Sequence, residues 1–309
     1  MSTAVVAAVD ATPRAYEVTR VAADLAERLD LRLVLVQVVE VGTPFPFGDA
    51  PEAERRLARA RVEAAATLRE VAVVAGIADR ATLRVEHGHA AATIASVARE
   101  EDAQLVVAGS RGHGRLRSAL LGSTTAELGV ALDRPLVVVP HHAATALSAV
   151  ADATVVASVG GAEGVVEQAD ALAAALGARL VLAHVATPLP VGTSMGTLAG
   201  PVPVRGEVER LEREARGALD RAAAAVRHAR AVETAWRQGD PATALLELID
   251  EQRAAVLVVG EAAPWQRLAG SARVPIVLVP AVVGQAASAA PVANARSASA
   301  RTSEVNSRR

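Results

Sequence analysis

Gly109, Gly112 and Gly114, followed by the run Gly122-Ser123-Thr124-Thr125, are the residues of this chain best suited to hold an anion. Glycine lets the backbone take positive φ and come close to a ligand, so that successive N–H groups can point into one concavity, a phosphate nest. The Gly122-Ser123 dipeptide opens a predicted helix, whose free N–H groups and positive dipole end add a second anion site. Arg111, Arg115 and Arg117 lie between the two and carry charge to neutralise what the amides hold. Thr124 and Glu127 fit the S/T-x-x-E capping box, so the Thr124 hydroxyl is expected on the helix's own amides, leaving Ser123 and Thr125 to reach a ligand. His113, inside the loop, reads as a backbone-determined residue rather than a base.

Two other phosphate motifs are excluded. A Walker loop needs GxxxxGK[ST], and the chain contains no lysine. A dinucleotide fingerprint needs GxGxxG after a first strand; Gly112-His113-Gly114 begins one, but Arg117 stands where its last glycine belongs. Catalysis requires a nucleophile or water, a base beside it and charge stabilisation, all convergent. The loop offers donors but no carboxylate pair and no base with an orienting partner, so the residues read as a site that holds rather than cuts. His87 and His89 present two nitrogens at alternate spacing without a third ligand, which argues against a metal site.

The elements that must position these residues are short apolar runs alternating with amphipathic stretches. Strands are predicted at 4–9, 31–39, 81–86, 104–108 and 136–139, with helices between them at about 15–29, 52–75, 91–100 and from Gly122. This alternation predicts a doubly wound parallel sheet buried on both faces. Ligands in such sheets sit beyond the carboxyl ends of the strands, where the order reverses. Asp10 ends strand one and Gly109 follows strand four, so residues far apart in sequence are expected at one crevice. Asp10 is there either a turn residue or a nucleotide or metal contact, and Val9 and Val39 either wall a base or simply finish the sheet.

The spacing Gly109, two residues, Gly112, nine residues, Gly122-Ser123, set between the last two strands of a short α/β unit, resembles the ATP-binding signature of the universal stress protein family. The resemblance implies strand order 3-2-1-4-5, an adenine nucleotide alpha hydrolase-like fold, and ATP as ligand, with or without Mg2+. It implies nucleotide contacts from Val9, Asp10, Val39, Gly109, Arg111, Gly112, His113, Gly114, Gly122, Ser123, Thr124 and Thr125, and favours the contact role for Asp10. It also implies a cytoplasmic stress-response regulator without enzymatic activity, as a homodimer or an intramolecular pseudo-dimer. A slow ATP hydrolase and a ligand-free scaffold, pairing its halves through edge strands 136–139 and 276–279, are the alternatives.

The second half repeats the first. TVVASVGGAEG at Thr154, ARLVLAHV at Ala178, RQGDPATALLELI at Arg237, AVLVVG at Ala255 and VPIVLVP at Val274 each match a segment of the first half. The expected domains are 1–142, a linker at 143–152, a degenerate copy at 153–282 and a disordered tail at 283–309. In the second copy Gly160 replaces Asp10, the loop shrinks to Gly260 through Ser271 with Glu261 and Pro264 inside it, and too few residues precede Pro275 for the phosphate-binding helix. That copy is expected to bind no ATP.

Composition narrows the field further. The chain has 309 residues, 51% of them apolar but only 2% aromatic, a formal charge of −2 and no cysteine. A single-strand nucleic-acid surface needs aromatic platforms and a basic footprint, and disulfides and thiolate chemistry need cysteine. No apolar run reaches the ~18 residues that span a bilayer. No nucleic acid and no membrane insertion are therefore expected, and the resemblance implies an adenine nucleotide and a second copy, or the chain's own other half, as partners.

Overall fold

The computed structural model describes residues 3–40, 50–110, 121–141, 153–160, 164–187 and 205–281. The first half runs β1 (Ala4–Ala8), α1 (Ala15–Leu29), β2 (Arg32–Val39), α2 (Ala50–Val74), β3 (Ala81–His87), α3 (Ala90–Glu100), β4 (Ala103–Gly109), α4 (Ser123–Ala131) and β5 (Leu136–Val139). The second repeats the order as β6 (Thr154–Ser158), α5 (Val165–Leu176), β7 (Arg179–Ala186), α6 (Arg205–Ala225), β8 (Val232–Gln238), α7 (Pro241–Glu251), β9 (Ala254–Gly260), α8 (Trp265–Ser271) and β10 (Ile276–Val279). The expected linker and the 283–309 tail fall outside the described residues.

Each half is a parallel sheet in the expected order, β3-β2-β1-β4-β5 and β8-β7-β6-β9-β10. The edge strands β5 and β10 then pair antiparallel, Leu136 opposite Leu278, Val137 opposite Val277 and Val138 opposite Ile276. The two sheets thereby become one of ten strands. Pairing these two edges satisfies backbone groups that would otherwise stand open to another chain. Both strands are buried at every position, which a continuous Val/Leu/Ile run tolerates and an alternating one would not.

Period-2 alternation divides the strand side chains between two apolar layers that continue across the seam. Val5, Ala7, Leu33 and Leu35 pack under α1 and α2, with Leu180, Leu182 and Val155 under α5 and α6. Val6, Val34, Val106 and Val138 face the other side, with Leu128 of α4, Ile94 of α3, and Leu245 and Leu268 of α7 and α8. Helix α1 buries Val18, Val21, Ala22 and Leu25, spaced one turn apart. It stops where Asp30 adopts the left-handed region at φ 55°, its N–H returning to the Ala26 and Glu27 carbonyls; Gly177 ends α5 in the same way at φ 61°.

One expectation is overturned. The phosphate-side helix of the second half is not missing: α8 spans Trp265–Ser271. Matching Gly270-Ser271 to Gly122-Ser123 misplaced the shortening. Strands β9 and β10 are parallel neighbours, and parallel neighbours need a crossover that returns the chain across the sheet. Counting back from Pro135 and Pro275, Trp265 takes the place of Thr125 and Leu268 that of Leu128. Most of the residues lost come from the loop, with two more from the start of the helix.

Candidate functional site

The sheet order reverses between β1 and β4, and the register sets their ends side by side, Ala8 beside Ala108. Val9 and Asp10 therefore leave β1 next to Gly109 and Ser110 leaving β4. Val9 is buried and its N–H donates to the Val36 carbonyl at 2.8 Å, so its backbone continues the sheet. Asp10 is half-buried. Its Oδ1 accepts both the backbone N–H of Thr12, at 3.1 Å, and the Thr12 hydroxyl, an Asx turn that starts the connection to α1. Val39 ends β2 opposite His87 of β3, one strand further out.

Gly109 is the last residue of β4, paired with Val139 of β5, so it ends a strand rather than turning within a nest. The buried Ser110 donates its N–H to the Val139 carbonyl, and its own carbonyl accepts the N–H of Gly122 at 2.8 Å. Arg111, Gly112, His113 and Gly114, with Arg115 and Arg117, lie outside the described residues.

Helix α4 begins at Ser123 with Gly122 as its N-cap, extended at φ −62°, ψ 143°, and without a side-chain cap. A glycine has nothing to cap with. The first intrahelical bond runs from Ala126 N–H to the Gly122 carbonyl, so the N–H groups of Ser123, Thr124 and Thr125 precede the ladder. The capping box is not formed. Thr124 lies two residues past the N-cap, and Glu127 reaches across to α3, its Oε2 3.3 Å from His89 Nε2. Thr125 is not free either: buried, it donates its hydroxyl to the Gly109 carbonyl at 2.6 Å and ties the first turn of α4 to the end of β4. Ser123 is exposed. The arrangement offers amides at a dipole-positive helix end without a side-chain cap, following β4, the strand beside the β1 that leads to Asp10.

The corresponding place in the second half is closed. Gly160, at φ +128°, stands where Asp10 stands, and the His184 ring lies against it, its Nδ1 2.9 Å from the Val159 carbonyl. A Cβ on Gly160 would come within 3.2 Å of His184 Cε1. Residues 261–264 alone join β9 to α8, against 110–122 between β4 and α4. Pro264 is the N-cap of α8 and has no N–H to offer. His184 was readable as the residue aligned with Gln37, but nothing in the sequence said that its ring would cover Gly160.

A doubly wound parallel sheet with its crevice at the switch point defines a nucleotide-binding class of α/β protein only loosely. The family model narrows it: the model described as the universal stress protein family matches residues 1–140 and again 155–280. The chain belongs to the universal stress protein family, as a tandem of two such domains. A universal stress protein from Archaeoglobus fulgidus is 16% identical and superposes with a TM-score of 0.63, covering 92% of this chain and 100% of its own. A Pseudomonas aeruginosa structure assigned to the same proteins is 13% identical with a TM-score of 0.55, covering 90% of this chain and 93% of its own. A shorter universal stress protein, solved in complex with cAMP, is 27% identical over 43% of this chain and 99% of its own, with a TM-score of 0.32. No curated protein matches the chain. The two long likenesses, at such identities, show the fold. Among the described residues no helix is long and apolar enough to cross a membrane, and no three His, Asp or Glu side chains gather as metal ligands.

Proposed function

We propose that the N-terminal domain binds an adenine nucleotide, ATP in the first instance, and that the protein acts as a non-enzymatic regulator whose conformation or partners change with occupancy. The observation that carries this reading is the uncapped start of α4 at Gly122, beside the β1–β4 switch point. Three amides of its first turn would meet the phosphates, and Asp10 would meet the sugar or a phosphate-bound Mg2+. The glycines and arginines of 109–117 complete the site in this proposal, with Val9 and Val39 at the base. The C-terminal domain keeps Val159 and Gly260 but lacks the carboxylate and the long loop with its glycines and arginines, and serves as the structural partner through the β5–β10 seam. Cytoplasmic residence and a homodimer of tandem chains belong to the same proposal.

The test is the nucleotide released from purified, heat-denatured protein, identified by mass spectrometry, followed by titration of the emptied protein with ATP, ADP and cAMP. ATP or ADP released at one per chain is the expected result. Protein that releases none and binds none in titration sinks the reading. Incubation with ATP for hours without accumulation of ADP separates a holder from a hydrolase. Gly122→Val is expected to abolish binding with the fold retained, since φ −62° suits valine while its branched side chain crowds the helix start.

A further inference from the structure

The two halves meet not only at the seam but at one point on the nucleotide helix itself. Gly129 lies one turn beyond Thr125 on α4, on the buried side. The indole of Trp265, from α8 of the other half, lies directly over it: a Cβ on Gly129 would stand 2.5 Å from Trp265 Cζ2, 2.7 Å from Cη2 and 3.3 Å from Leu278 Cδ2. Trp265 is 3% exposed and packed in the same apolar layer as Leu128, Leu132 and Leu278. Here, then, the absence of a side chain is what allows the fit.

We infer that Trp265 is a positioning residue for the nucleotide site of the opposite domain: it fixes how far α4 sits from the sheet, and so where the Ser123–Thr125 amides point. This rests on the nucleotide reading above and adds its regulation. The physical chain is short. The Thr125 hydroxyl is bonded to the Gly109 carbonyl, Gly122 is bonded to Ser110, and a helix is stiff over its few turns. A displacement at Gly129 cannot be absorbed locally in a close-packed interior and must appear at the helix start. Thr125, the residue Trp265 replaces in the second copy, holds the strand; Trp265, at the same place in a half that holds no phosphate, holds its neighbour's helix. The degenerate domain would thus sense occupancy of the first, and its loss would weaken binding.

Three measurements on the full chain test this. In a Trp236→Phe background Trp265 is the sole indole, and Trp236 Nε1 has no hydrogen-bond partner among the described residues to lose. Titration with ATP is expected to change Trp265 emission with the same midpoint as direct binding. Gly129→Ala is expected to weaken ATP binding about tenfold at 20 °C, an overpacking effect transmitted to the site. The double variant Gly129→Ala, Trp265→Leu is expected to recover most of that loss. A merely structural contact would lower Tm in Gly129→Ala while leaving the dissociation constant and the emission unchanged, and that result overturns the inference. Should Gly129→Ala fail to fold, Trp265→Leu alone serves: it frees α4 and is expected to weaken ATP binding several-fold, about fivefold, and unchanged binding overturns it. Wild-type protein that binds no nucleotide is the distinct outcome that removes the site reading and this inference with it.

Discussion

The two domains share a chain order, a strand order and a pair of apolar layers, and differ at the tip of one crevice. In the first, β4 leads through residues 110–122 to a helix capped by glycine, beside Asp10. In the second, β9 leads through 261–264 to a helix capped by proline, beside Gly160 and under His184. The second domain is a natural control: it shows that the fold closes without the long loop and without the carboxylate. What the first domain has in excess of the fold is what a ligand would use. A second difference lies behind the crevice. The N-cap of α3, His89, faces Glu127 of α4 at 3.3 Å, whereas the equivalent N-cap of α7, Asp240, accepts a two-toothed contact from Arg267 of α8 at 2.9 and 3.0 Å. One latch joins an imidazole to a carboxylate; the other joins a guanidinium to a carboxylate by two hydrogen bonds.

The sharpest way to break the comparison is to make the first domain into the second. Replacing residues 110–124 with the 261–264 segment is expected to keep the far-UV circular dichroism while removing ATP binding by at least about a hundredfold, read by calorimetry. Retained binding would place the ligand elsewhere. A smaller effect, on stability alone, comes from Asp170→Ala. This buried carboxylate on α5 accepts the N–H groups of Arg227, His228 and Ala229 at 2.7 to 3.1 Å, a contact specific to the second half. Losing it leaves three amides without their acceptor and is expected to cost about 2–3 kcal/mol in urea unfolding, with ATP affinity unchanged. Thr125→Val removes the hydroxyl bond to Gly109 and should cost about 1 kcal/mol. It should also weaken ATP about fivefold by loosening the helix start; the matching change Trp265→Val should not act through any hydroxyl, and pairing the two variants measures how far the positions have diverged.

The smallest effect concerns the latches. Hydrogen bonds from Arg267, then from the Thr243 amide and hydroxyl, hold the Asp240 carboxyl well below the usual carboxylate range. Because the folded value is depressed, the contribution is complete above about pH 4 and is lost only as the pH falls towards the folded value. The pair is exposed and screened, so Asp240→Asn is expected to lower Tm by about 2 °C at pH 7. Its deficit relative to wild type should shrink below pH 4. A deficit that grows on acidification would contradict the assignment.

Much of this was legible in one dimension. Short Val, Ile and Leu runs bounded by Gly and Pro read as strands buried on both faces, and their alternation with helical periods marks a doubly wound sheet in each half. The glycine spacing from Gly109 to Gly122 marked the loop, and the repeat marked its loss. Three details escaped. Thr124 and Glu127 satisfy the letter of a capping box, yet Glu127 is taken by His89 from another helix, and no local rule sees that partner. Thr125 looks free until β4 brings the Gly109 carbonyl beneath it. Gly270-Ser271 imitates Gly122-Ser123, and only the demand of a parallel crossover shows that the dipeptide ends the helix rather than opening it.

Local chemistry in the chain was enough to determine the strands, the helices other than α8 and the unequal lengths of the two loops, because burial period, backbone freedom and missing N–H groups are properties of single residues and their near neighbours. The tertiary structure alone decided the rest: that β5 and β10 fuse two sheets into one, that His184 covers Gly160, and that Trp265 rests on Gly129. Each of these depends on side chains brought together from distant segments by the packing of the sheet, where the space left by one residue is filled by another that no spacing rule connects to it.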